Sequence, residues 1–278
     1  MPDKKIFFAP AKLNIFLKII GKRNDGYHLI KSGITFINLF DKIEIEKSDT
    51  TRINYQGTFK PKNKKYDDCI IWKTLNFLKL SNHNFNITVT KNIPVQGGFG
   101  SASTNAATLI KGLTLMKVIK QRKPSDYISL GSDIPCFLLQ KNCVIMGVGE
   151  IIHLYPFPKY YFLLVKPNFT NSTREMYNKL NFKETSNLNL KNEKFELSDK
   201  DSGNDFETIV FKYNSDFKDI FVYLDNQDKT IFTRLTGTGS CFYAAFEKKE
   251  YALKAQKIFQ SKYNHLWTHV CENNTIIS

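Results

Sequence analysis

A chain of 278 residues with 42% hydrophobic residues can bury one large core or two small ones, as an ordinary globular protein does. Its 40 Lys and Arg against 26 Asp and Glu leave a formal charge of +14, which suits a nucleic acid, a membrane surface or an anionic small molecule as partner. No basic run with interleaved aromatics supports the first, no apolar stretch approaches a membrane span, and the abundance of Lys, Asn, Ile and Phe is what AT-rich coding produces, so the charge alone selects no partner.

Residues 5–20 predict a strand pair with a bend near Pro10. In its second strand Leu13, Ile15, Leu17 and Ile19 alternate with Lys12, Asn14, Phe16 and Lys18, which places Lys12 and Asn14 on one face. Arg23-Asn-Asp-Gly26 is a turn signal, and strands are predicted near 29–37 and 41–46. Helical apolar spacing over 68–80 (Ile70, Ile71, Leu75, Leu78) precedes a strand at Phe85–Thr90, where Phe85, Ile87 and Val89 share a face. A helix then runs to about Val118, its buried stripe Ala106, Leu109, Ile110, Leu113 and Met116. Strands return around 143–165, broken by Pro156 and Pro158, and a domain transition is placed there. Residues 183–204 are polar and lysine-rich and predict an exposed or weakly ordered segment. Helices near 205–213 and 248–260 complete an α+β chain without internal repeats.

The five cysteines, Cys69, Cys136, Cys143, Cys241 and Cys271, are odd in number and form no CxxC pair. That fits reduced thiols in a cytoplasmic protein rather than a disulfide or zinc framework. Pro10, Lys12 and Asn14 interrupt the apolar start, so no signal peptide is expected.

Between the strand at 85–90 and the following helix lies Pro94-Val-Gln-Gly-Gly-Phe-Gly-Ser-Ala-Ser-Thr104. Glycines let backbone turn tightly and approach a ligand, and a helix start adds free N–H groups and partial positive charge. The order strand, glycine loop, helix therefore makes a site for phosphate oxygens. It matches neither the Walker pattern nor GxGxxG, and a loop that merely turns the chain has the same signature. Ser103 and Thr104 offer hydroxyls to phosphate or Mg²⁺, and equally to the helix as caps. Asp133, in Gly131-Ser-Asp-Ile-Pro135, reads equally as a helix-start residue.

Three blocks taken together say more. Phe8-Ala-Pro-Ala-Lys-Leu-Asn14 with Arg23-Asn-Asp-Gly-Tyr-His28, the glycine loop, and Leu235-Thr-Gly-Thr-Gly-Ser-Cys-Phe-Tyr-Ala-Ala-Phe246 resemble, in this order and at these distances, the GHMP kinases. Gly131-Ser-Asp-Ile-Pro-Cys-Phe137 and Gly203-Asn-Asp-Phe-Glu207 agree. The likeness spans about residues 6–246 and is most similar to the branch acting on 4-diphosphocytidyl-2-C-methyl-D-erythritol in the non-mevalonate isoprenoid pathway. The resemblance implies a two-domain GHMP kinase fold: a ribosomal-S5-like N-terminal domain over 1–155 and a ferredoxin-like C-terminal domain over 156–278. It implies ATP and Mg²⁺ as cofactors, with ATP held by Pro94, Val95, Gln96, Gly97, Gly98, Phe99, Gly100, Ser101, Ala102, Ser103 and Thr104. Mg²⁺ would come with the nucleotide, reached at most by Ser103. Asp133 would be the catalytic base and Lys12 the cation beside it. Asn14, Tyr27, His28, Thr173, Tyr177, Gly237 and Gly239 would meet the cytidine-diphosphate substrate, Tyr27 and Tyr177 by stacking on the base.

For each residue the plain structural role stays open: a strand lysine at 12, a helix-core aromatic at 177, a tight turn at 237 and 239. The loop departs from the family pattern, because Gln96 and Phe99 replace a Gly and a Leu and Ala102 stands where Ser or Gly is usual. A side chain at 96 would crowd the phosphates if that position needs φ > 0. Another GHMP kinase, acting on mevalonate or homoserine, is the nearest alternative, although those substrates lack a base to stack. A basic RNA-binding protein with an S5-like fold is the alternative of a different class. The expected setting is the cytoplasm or a plastid stroma, with no membrane or nucleic-acid partner and at most a weak homodimer.

Overall fold

The computed structural model describes residues 4–61, 69–81, 83–180 and 202–274. The strand pair predicted over 5–20 is instead one 18-residue strand, β1 (Lys5–Lys22), and the two strands predicted over 29–46 are one 20-residue strand, β2 (His28–Lys47). The two pair antiparallel along their length, joined by a turn in which Arg23 N donates to Tyr27 O at 2.7 Å. The bend at Pro10 is real but local. The register shifts between Pro10 and Ala11, whose partners are Phe40 and Ile37, so an irregularity absorbs the proline without ending the strand.

Strands β3 (Arg52–Gln56), β4 (Phe85–Thr90), β5 (Cys143–Gly147) and β6 (Ile151–Leu154) complete a six-stranded sheet in the order β3-β4-β2-β5-β6, with β1 on β2. Helices α1 (Ile70–Phe77), α2 (Ser101–Leu115) and the short α3 (Ile134–Leu139) cover it. Their apolar faces, Ile71 and Leu75 from α1 and Ala106, Leu109, Ile110 and Leu113 from α2, pack with Ile43, Ile45, Ile87 and Val89 of the sheet. The predicted stripe of α2 is thus buried, with Met116 at its margin only partly so.

A second sheet of four strands has the order β10-β7-β9-β8: β7 (Tyr161–Lys166), β8 (Phe232–Leu235), β9 (Phe242–Phe246) and β10 (Trp267–Glu272). Helices α4 (Thr173–Asn178), α5 (Phe206–Tyr213), α6 (Ser215–Asp225) and α7 (Lys249–Lys262) accompany it. α5 and α7 follow the predicted spans closely. α6 has no predicted counterpart, although Phe217, Phe221 and Leu224 form its buried face at helical spacing. Most of the segment expected to be exposed, 183–201, lies outside the described residues; of its remainder, Asn204 is buried and fixed.

The sheets meet over a shared core in which Ala11, Leu13, Ile37 and Phe99 of the first half contact Phe162, Leu164, Cys241 and Tyr243 of the second. β1 goes further, because its Leu17 and Ile19 belong to the core under α5 and α6. Among the described residues no helix is long and apolar enough to cross a membrane, and all five cysteines are buried free thiols.

Candidate active site

Residues 94–103 run along one wall of a cavity of about 1030 Å³ that also takes in Lys12, Asn14, Tyr27, His28, Asp133 and Tyr177. Strand β4 ends at Thr90, the loop turns through Gly97–Gly100, and α2 starts at Ser101. Gly100 is the N-cap in the left-handed region (φ 70°) and α2 has no side-chain cap, so neither Ser103 nor Thr104 caps it. Ser103 borders the cavity, whereas Thr104 is fully buried and does not, and its hydroxyl makes no hydrogen bond. The expectation of a phosphate contact from the Thr104 side chain therefore does not fit its placement. An uncapped helix start facing a cavity is what a phosphate group requires.

The glycines are needed for a reason sequence alone does not show: the loop lies back-to-back with a second glycine loop, Thr236–Gly239. A Cβ on Gly98 (φ +82°) would sit 1.9 Å from Thr236 O, and one on Gly97 would meet Cys241 Sγ at 2.5 Å. The Thr236 hydroxyl lies 3.2 Å from Gly98 O. Gln96 does adopt a positive φ, 56°, the conformation in which crowding was expected, but it is an exposed residue at the cavity rim. Phe99 is no intruder either; its ring is 1% exposed in the core between the sheets.

Lys12 and Asn14 do share a face, and the Lys12 amine donates to Asn14 Oδ1. Lys12 is only 4% exposed. Its N–H donates to Phe99 O at 3.1 Å, tying β1 to the glycine loop. Burial pushes the Lys12 pKa below its ordinary value, an effect the nearby Asp133 carboxylate opposes. Asp133 precedes α3 but makes no capping bond, so the carboxylate is not engaged by the helix whose start it marks. Asn14 is more thoroughly tied than a ligand-reading residue. Its Oδ1 also accepts from Gly237 N at 2.8 Å and lies 3.2 Å from the Thr236 hydroxyl, whose one proton goes either here or to Gly98 O, and its Nδ2 donates to Ser32 Oγ at 2.8 Å.

At the far end of the cavity the β1–β2 turn presents Tyr27, 65% exposed, and His28. The His28 ring lies 5.0 Å from Tyr177 of α4, which rests edge-on against Phe206 at 4.9 Å. Burial, and secondarily Lys22, lowers the His28 pKa, so the imidazole is neutral at pH 7. Thr173 and Gly237 border the same space; Gly239 does not, and a Cβ there would meet Asn171 and Leu235.

One group has no forerunner in the sequence reading. Lys91, 4% exposed, pairs with the fully buried Asp41 and donates to Ser101 Oγ and to Asn105 Oδ1, the latter at 2.7 Å. Asp41 accepts from the N–H groups of Asn92 (2.7 Å) and Ile93 (2.9 Å). This network joins the end of β4 to the first turn of α2, and Lys91 borders the cavity. The sequence signal for it is slight: a lone Asp41 within the apolar run of β2 and a lysine just past the end of β4.

Residues 69–140 match the model of the GHMP kinases N terminal domain. A curated protein of Pelagibacter ubique, 4-diphosphocytidyl-2-C-methyl-D-erythritol kinase, is 34% identical over 268 residues, which is 92% of this chain and 94% of that one. The protein of the same name from Francisella philomiragia is 32% identical over 246 residues, 86% of each chain. A crystal structure of 4-(cytidine 5'-diphospho)-2C-methyl-D-erythritol kinase superposes with a TM-score of 0.77 at 20% identity, over 98% of this chain and 100% of that one, a likeness of fold. With the α+β architecture and the two glycine loops, these relations settle the lineage: the chain belongs to the 4-diphosphocytidyl-2-C-methyl-D-erythritol kinase family of the GHMP kinases.

Proposed function

We propose that this chain transfers the γ-phosphoryl group of ATP to the 2-hydroxyl of 4-diphosphocytidyl-2-C-methyl-D-erythritol, giving ADP and the 2-phosphate. The observation that carries the reading is that one cavity holds an uncapped helix start, a buried Lys–Asp neighbourhood and an aromatic end within a single space. The N-terminal part, 1–155, supplies the nucleotide wall and the β1–β2 turn; the C-terminal part, 156–278, supplies Tyr177 and the second glycine loop.

Phosphoryl transfer needs positioning and charge stabilisation more than covalent chemistry. The α2 start takes phosphate oxygens. Mg²⁺ accompanying the nucleotide would neutralise phosphate charge, and Ser103 is a cavity-side hydroxyl that would hold it; among the described residues no cluster of His, Cys, Asp and Glu forms a metal site by itself. The acceptor hydroxyl attacks the γ-phosphorus, the bond to the ADP oxygen breaks, and the hydroxyl proton passes to Asp133. Lys12 opposes the negative charge that develops there. The cytosine stacks on the exposed Tyr27 beside Tyr177, where neutral His28 can read its edge. A reducing cytoplasm suits the five free thiols.

The test is ADP release with the cytidyl substrate beside release with mevalonate and with homoserine. Turnover confined to the first is expected; faster turnover with either of the others would overturn the assignment of acceptor.

A further inference from the structure

The segment Gly203-Asn-Asp-Phe-Glu207 has no part in the reaction as described so far, yet it holds the second glycine loop. Asn204 is 4% exposed. A primary amide carries two donors, and both donors of Asn204 are spent on carbonyls two residues apart: Nδ2 donates to Leu235 O and to Gly237 O, each at 2.8 Å. Its Oδ1 accepts from Phe206 N at 3.0 Å, which fixes the amide plane. Glu207 Oε1 takes the Leu235 N–H at 2.9 Å. Leu235 is therefore gripped at its N–H and its C=O, at the point where β8 ends and the loop begins.

The loop closes on itself through Gly239 N–H to Thr236 O at 3.0 Å and Thr236 N–H to Cys241 O at 3.1 Å, with Gly237 (φ +58°) and Gly239 (φ +83°) making the turn, so Asn204 fixes where the turn sits rather than its internal shape. What it touches is the site. Gly237 N donates to Asn14 Oδ1, Thr236 reaches Gly98 O, and Thr238 Oγ1 lies 3.3 Å from Thr173 Oγ1 beside Tyr177's helix. The loop is thus the piece of backbone common to the phosphate loop, the Lys12–Asn14 pair and the acceptor end of the cavity.

We infer that Asn204 is a positioning residue for phosphoryl transfer. It sets the height of the Thr236–Gly239 loop and, through it, the alignment of acceptor hydroxyl with the phosphate wall. The inference rests on the kinase reading above. Asp205 provides the control. It sits in the same segment, but its carboxylate pairs with Lys18 and accepts from Ile19 N at 2.8 Å, so it ties the segment to β1 and not to the loop.

The experiment compares Asn204→Asp, Asn204→Ser and Asp205→Asn by thermal unfolding and by kcat and KM for each substrate. Asn204→Asp, with no donor left, should lose about 10²-fold in kcat, the scale of a roughly 1 Å misplacement. Asn204→Ser, with one donor, should fall between it and wild type. KM for ATP should change little in either, because the phosphate wall is built by other residues. Asp205→Asn should lose stability with kcat near wild type. The inference is overturned if both Asn204 variants keep wild-type kcat, or if Asp205→Asn loses as much kcat at the same loss of Tm. Should Asn204→Asp fail to fold, Asn204→Ser against Asp205→Asn decides by the same criteria. Wild-type acceptor choice tests the kinase reading separately, and the variant ratios are read on whichever acceptor the wild type phosphorylates.

Discussion

Replacing Lys12 by Met separates what its ammonium does for the reaction from what it costs the fold. The side chain is 4% exposed, and burial holds its pKa below the ordinary value of 10.5 with Asp133 only partly compensating. Because the folded pKa is the lower one, the unfolded chain binds more protons between the two values. The penalty on the folded state is therefore full below the lowered folded pKa and is relieved as pH rises from there towards 10.5. Methionine keeps the unbranched apolar stem and removes the charge. Asn14 Oδ1 loses the ammonium and keeps the Gly237 N–H at 2.8 Å, so no buried acceptor is stranded. Replacing a whole buried ion pair by apolar groups of similar volume ranges from neutral to stabilising by about 1–4 kcal/mol, but Lys12→Met removes one partner only and leaves the half-buried Asp133 carboxylate without the cation beside it, which offsets that gain. At roughly 2–4 °C per kcal/mol, Tm should therefore stay within a few degrees of wild type. Activity should fall. Losing one preorganised charge at the reacting centre costs about 10²–10³ in kcat, or about 2.7–4 kcal/mol. In the wild type the alkaline limb of kcat should lie below 10.5 and should vanish in Lys12→Met. Calorimetry and steady-state ADP release on the same preparation give both readouts. A large drop in Tm would make Lys12 a structural residue, and near-normal kcat would remove it from the reaction.

Asp133→Asn should leave Tm nearly unchanged, since the carboxylate makes no capping bond, while kcat falls roughly 10²–10⁴-fold with binding retained; a small loss would reduce Asp133 to an orienting group. Tyr27→Ala should raise the dissociation constant for the cytidyl substrate by an amount corresponding to about 1–3 kcal/mol of stacking, with no change in ATP binding or Tm, because the ring is 65% exposed; equal losses for both ligands would contradict a stacking role. Gly98→Ala should lower both Tm and turnover, because its Cβ would lie 1.9 Å from Thr236 O at a φ of +82°. Gly26→Ala, with a φ of +89° but no atom within 4 Å, is the matched control for backbone strain alone, and equal effects of the two would show that the contact between loops is unimportant.

Local periodicity reached the elements whose neighbours are ordinary. α2, α5 and α7 were legible because one helical face is apolar and its flanks are polar or glycine-rich. The length of β1 and β2 was not, because Pro10 and the shifts near Phe16 and Gly21 break the alternation while cross-strand pairing carries on. The same division holds in the site. Lys12, Asp133, Tyr27 and His28 stood out through motif resemblance and do border one cavity. Thr104 is fully buried and does not border it, although Ser101, Ser103 and Asn105 around it do. The Lys91–Asp41 pair and the grip of Asn204 on the second loop are contacts between residues 50 and 31 or more positions apart, and no short window of sequence contains such a contact.

The path of β1 has a consequence for how the molecule comes apart. One continuous strand contributes Ala9 to the core of the first half, Ala11 and Leu13 to the core between the sheets, and Leu17 and Ile19 to the core of the second. Severing the chain between β6 and β7 would leave the C-terminal fragment without two of its own core residues, so neither fragment should be a self-sufficient folding unit. Melting should be a single event reported alike by Trp267 in the second sheet and by Trp72 of α1, packed against the core of the first half. Proteolytic nicking in the 155–160 connection should inactivate by unfolding rather than release a stable nucleotide-binding piece.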